Sequence, residues 1–242
     1  TSGSTVEFSG SGSQTIPALS YDNLTSSGTG ARTLASSGTI GIAGTFTPGT
    51  NSYTVTGSTV EFSGSGAQTV PAFTYDNLTV SGDRGGATVT LASGTIAVGG
   101  IFTVTATNTA YDAAGNTFDF ASAGPQTIPA INYGTITNSG NGNRTLASSG
   151  TIGIAVDFSA GSGSYTVTGS TVAYNGTGPQ SASSLTYENL TVNTSAGVTL
   201  AGASAVTGTR TLTSGAVTMS SDTLTIGTAG AVTRTAGWVA GP

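Results

Sequence analysis

The sequence predicts an all-β fold, a right-handed parallel β-helix with coils of about 18 residues. Three observations carry this. A segment of about 54 residues recurs along the chain, apolar positions within it recur at about 18 residues, and short stretches alternate apolar and small polar residues between Gly-rich turns.

The repeat comes first. GSTVEFSGSGSQTIPALSYDNLT from Gly3 returns as GSTVEFSGSGAQTVPAFTYDNLT from Gly57, and degenerate copies follow from Gly115 and Gly169. The first and last of these intervals are equal. The middle one, Gly57 to Gly115, is longer and places a four-residue insertion in TVTATNTAYDAAGN, where loops tolerate it. Gln14, Gln68, Gln126 and Gln180 keep these intervals, as do Tyr21, Tyr75, Tyr133 and Tyr187, and TLASSGTIGIA occurs identically from Thr33 and from Thr145. The chain therefore reads as one solenoid domain, 1–242, built of repeats 3–56, 57–114 and 115–168 and a degenerate 169–242.

The finer period makes the coils. Val60, Leu78 and Ile96 are evenly spaced, and their spacing divides a repeat into three, which predicts three coils per repeat. Thr59-Val60-Glu61-Phe62 and Ala87-Thr88-Val89-Thr90-Leu91 show the two-residue period of a half-buried strand. Ser-Gly, Asn-Gly and Gly-Gly pairs between them supply turns. A β-sandwich also has short strands and regular turns, but the regular sub-period favours a solenoid. The right hand is assigned by analogy with parallel β-helices as a class.

Composition narrows the function. The chain has 38 Gly, ten acidic and five basic residues, no His and no Cys, and a net charge of −5. The basic residues are Arg32, Arg84, Arg144, Arg210 and Arg234, too scattered to form a phosphate-binding stripe, so nucleic acid is not expected as a partner. No stretch has the roughly 18 apolar residues of a membrane helix. No charged-then-apolar leader precedes Thr1, and the run to Pro242 suggests that more protein follows.

The YDNLT-then-SG phrase and the Thr/Ser/Gly style around it resemble the β-strand repeats of large secreted bacterial cell-surface proteins, adhesin-like or filamentous-haemagglutinin-like. The resemblance covers essentially all of the chain. It implies an extracellular structural or adhesive module, a subunit of a surface filament, that associates end to end or laterally, or with neighbouring domains or surface polysaccharide. No enzyme activity, cofactor or metal is expected.

The chemistry-bearing residues are read accordingly. Asp22, Asp76 and Glu188 recur three coils apart and read as turn carboxylates whose Asx neighbours bond their own backbone. Glu7, Glu61 and Asp119 alternate outward. Arg32 and Arg144, each before TLASSGTI, read as surface residues shielding a sheet edge. The tyrosines read as core.

Three ligand readings stand beside these. Thr45-Phe46-Thr47, Thr54-Val55-Thr56, Thr103-Val104-Thr105 and Thr223-Leu224-Thr225 are the TxT pairs an ice-binding face would use, though at uneven coil positions. Thr223, in Asp222-Thr223-Leu224, has the D-[ST]-apolar context of bacterial O-glycosylation. Trp238 is the candidate for docking at the solenoid end or for ligand contact.

Overall fold

The structure is a computed structural model that describes residues 3–113, 115–228 and 230–241. Among these are thirty-three short β-strands and no helix. Strands pair in parallel with strands one coil away, making a β-solenoid of about 12 turns. Parallel pairing excludes the sandwich, whose sheets are antiparallel. The chain divides into two compact units, 1–112 and 113–242.

In the first unit each turn carries three strands. One ladder stacks Thr5–Phe8, Asn23–Ser26 and Phe46–Thr47. A second stacks Gln14–Ile16, Arg32–Leu34 and Tyr53–Thr54. A third runs Ser20–Tyr21, Thr39–Ile42, Thr59–Phe62, Asn77–Val80 and Phe102–Val104. Inward positions are apolar: Val60, Leu78 and Phe102 face one another across coils and are buried. Such contacts, repeated at every coil, drive the fold.

The registers alter the coil count per repeat. The step between stacked partners is not constant; it is short from Thr5 to Asn23 and longer from Leu78 to Phe102. Repeat one contributes eight strands before Thr59, because a bend at Asp22 splits Ser20–Tyr21 from Asn23–Ser26. Eight strands, three to a turn, carry a repeat through two and two-thirds turns. Thr59–Phe62 accordingly stacks on Thr39–Ile42, while its counterpart Thr5–Phe8 lies in the ladder of Phe46–Thr47. Equivalent residues of successive repeats therefore fall on different faces.

The second unit has the same construction. Asn116–Phe120, Asn132–Thr137 and Ile152–Ser159 stack in order. Repeat four then meets the long Ile152–Ser159 strand twice, through Thr171–Tyr174 at one end and through Ser181 opposite Asp157 at the other. Asn189–Asn193 and Thr209–Ser214 continue the stack.

Candidate functional site

The polar residues that recur in the sequence are spent on the solenoid's corners. Gln68 closes its turn by accepting from the Gly64 amide at 2.8 Å, and its amide nitrogen donates to the Ile42 and Gly44 carbonyls at 2.9 and 2.8 Å. Gln180 repeats this with the Gly176 amide at 2.9 Å and the Ile154 carbonyl at 2.7 Å. Gln14 and Gln126 accept from Gly10 and Ser122 in the same way.

The tyrosines are core, in agreement with the sequence. Tyr75, Tyr133 and Tyr187 are fully buried, and their hydroxyls are accounted for. Tyr21, Tyr75, Tyr133 and Tyr187 each donate to the carbonyl four residues earlier, at Pro17, Pro71, Pro129 and Ser183. Because the acceptor is main chain, the bond survives the change from Pro to Ser. Burial pushes the Tyr75 and Tyr187 hydroxyls well above their usual pKa.

The Asx reading needs correction. Asn23 does not fold back on its own backbone; its amide donates to the Ser4 carbonyl and its oxygen accepts from the Thr45 amide, so it joins three successive coils. Asn77 does so with Ser58 and Ile101, and Asn189 with Ser170 and Thr209. Asp22 and Asp76 accept from the Gly3 and Gly57 amides, each at 2.6 Å. Glu61 and Asp119 point outward and accept from Ser81 and from Thr137 and Ser139 of the following coil.

The arginines are the larger correction. Arg32, Arg84 and Arg144 are not surface residues: none is more than 1% exposed. Each inserts its guanidinium into a corner and donates to main-chain carbonyls. Arg32 reaches Phe8, Gly10 and Gly30, with its Nε on Ser26 Oγ at 2.9 Å. Arg144 reaches Phe120, Ser122 and Gly124 at 2.7, 2.8 and 2.9 Å. Arg84 reaches Phe62, Gly66 and Ser81, and also Gln68 Oε1. Phe8, Phe62 and Phe120 are equivalent in the repeats, so one carbonyl position receives a guanidinium three times. Five donors in a fixed fork suit such a ring of carbonyls. Desolvation lowers the Arg84 and Arg144 pKa values from the ordinary range.

The ligand candidates are dispersed. Thr45-Phe46-Thr47, Thr54-Val55-Thr56 and Thr103-Val104-Thr105 belong to three different ladders of the first unit, so they form no common array. Single files do exist, such as the exposed Thr15, Thr33 and Thr54. Thr223 is exposed, and its carbonyl accepts from the Ser204 amide. Trp238 is 53% exposed on the strand Trp238–Ala240, opposite Ala216. Among the described residues no three His, Cys, Asp or Glu side chains are placed to hold a metal ion.

Sequence reasoning missed a groove on the second unit. A cleft of about 510 Å³ is lined by Val156–Gly161 and by Pro179, Ser181, Ser183 and Ser184, where Asp157 and Ser181 are paired on adjacent strands. A second cleft of about 300 Å³ continues past Ser184 to Thr223 and Thr225. The signal was present as paired departures from the repeat. No protein-family model matches the chain, and neither a curated protein nor a solved structure matches it.

Proposed function

We propose that the chain is an extracellular structural and adhesive module, secreted and displayed at a cell surface, that holds position along its stacking direction and performs no catalysis. The observation that carries this reading is the use of the arginines. Groups that elsewhere bind substrates or anions are here buried on main-chain carbonyls, as are the side-chain amides of Gln68 and Gln180. The outward residues are mostly Ser, Thr and Gly, a low-charge surface suited to lateral contact with further copies or with polysaccharide.

A filament subunit would associate end to end or laterally. Sedimentation over rising concentration, with electron microscopy of the same samples, tests this. Rods or filaments are expected, and a monodisperse monomer at the highest concentration would sink the filament reading. Ice binding is less favoured, because the TxT pairs of the first unit lie on separate ladders. A thermal-hysteresis assay is expected to show none.

A further inference from the structure

The groove on the second unit follows the stacking direction. Asp157 pairs with Ser181 in one ladder, and Thr186, Ala205 and Thr225 stack in another, so the lining residues come from four successive coils and pass from one ladder to the other at Ser184. Four coils at about 4.8 Å make a trough about 14 Å long. Ser184 belongs to both clefts and joins them.

Its walls are where the chain departs from its own repeat. Thr145–Ala155 copies Thr33–Ala43 residue for residue, and then Val156-Asp157 replaces Gly44-Thr45. On the next coil, Gln-Thr-Ile/Val-Pro-Ala is kept at 14–18, 68–72 and 126–130 but becomes Gln-Ser-Ala-Ser-Ser at 180–184. Two segments on successive coils, paired side by side, thus change together. In the first unit the matching place is packed with rings: Phe73 lies edge-on to Phe46 at 5.5 Å and to Tyr53 at 4.7 Å. The counterpart of Phe73 is Leu185, which lines the second cleft.

From this we infer that the groove binds a neutral polysaccharide chain lying along the stacking direction. Hydroxyls from Ser181, Thr223 and Thr225 and the Asp157 carboxylate supply hydrogen-bonding groups. Val156, 49% exposed, and Pro179 offer apolar contact to the C–H faces of sugar rings. A few polar groups on a largely neutral wall orient such a ligand. No arginine lines the groove, and Asp157 disfavours an anionic polymer. One carboxylate is too few for Ca²⁺, which needs roughly 6–8 oxygens. An extended peptide would seek an open strand edge, whereas Gln180–Ala182, at the first cleft, pairs with the coils on either side.

The inference deepens the adhesive part of the reading above and is tested apart from assembly. Affinity electrophoresis of the full chain through gels containing β-1,3-glucan, xylan or galactomannan is expected to show retardation by at least one of them. Polygalacturonate, the anionic control, should cause none. Ser184→Phe, which fills the junction of the clefts, should weaken retardation at least tenfold with an unchanged melting curve, as should Asp157→Asn by a smaller factor. Thr33→Phe on the first unit should bind like the parent. The inference fails if none of the three neutral polymers retards the chain, if only polygalacturonate or an extended peptide binds, or if Ser184→Phe binds undiminished. Filament formation by a chain that binds no polysaccharide would leave the structural reading intact and remove only this one.

Discussion

The guanidinium of Arg144 donates to the carbonyl of Phe120, one coil earlier, at 2.7 Å. The charge sits inside the solenoid wall without a carboxylate on its nitrogens, held by main-chain dipoles. Removing it orphans the Phe120, Ser122 and Gly124 carbonyls. Arg144→Ala is expected to cost about 3–5 kcal/mol. Arg144→Lys, which keeps the charge but not the fork, should fall between. Urea unfolding gives both values, and a loss below about 1 kcal/mol for Arg144→Ala would contradict the clamp.

Gln68 and Gln14 occupy the same repeat position with different burdens. Gln68 is buried and makes bonds to Gly64, Ile42, Gly44 and Arg84. Gln14 is half-buried and accepts from Gly10. Gln68→Leu should therefore cost about 2–4 kcal/mol and Gln14→Leu about 1 kcal/mol. Equal losses in thermal or urea unfolding would count against the corner role.

Two glycines of one corner should respond oppositely. A Cβ on Gly30 would collide with the Gly12 carbonyl oxygen and lie 2.7 Å from Arg32 Nη1, whereas a Cβ on Gly12 meets nothing within 4 Å. Gly30→Ala is expected to cost about 3 kcal/mol or more, and Gly12→Ala to stay within about 0.5 kcal/mol. Melting temperatures of the pair decide it.

Alkaline pH should unfold the protein through its tyrosines. Desolvation raises the Tyr111 and Tyr165 hydroxyls to about 12, and Tyr75 and Tyr187 are raised well above 10. The folded state holds these protons more tightly than the unfolded state, which releases them near 10. Stability is then fully present below pH 10 and falls as pH rises from 10 towards 12. Tyrosinate absorbance and far-ultraviolet circular dichroism should change together. Full ionisation of the tyrosines with the strand signal intact would overturn this.

Much of the fold was legible because burial imposes a period. The alternation around Val60 and Phe62 marks a strand, and the recurrence of Tyr21 and Tyr75 marks a core position with a main-chain acceptor nearby. The number of turns per repeat was not legible. Even spacing of Val60, Leu78 and Ile96 suggests three coils, and the turn read at Asp22 does not announce that the chain changes faces there. The clamps were hidden for another reason. Arg84 leaves the chain two residues earlier in its repeat than Arg32 does, yet both guanidinium groups reach the same carbonyl position. Alignment records where a side chain starts, and a long flexible residue ends elsewhere. The groove was hidden because its walls meet only after a full coil.

The two and two-thirds turns of each repeat also govern what duplication can build. A feature copied once per repeat does not form a straight row; it winds around the outside like the thread of a screw, shifted by one-third of a circumference each time. Lengthening an array of such repeats therefore distributes any surface mark evenly around the solenoid axis. A one-sided patch has to arise the other way, by a repeat ceasing to resemble its neighbours, as the walls around Asp157 and Ser184 have done.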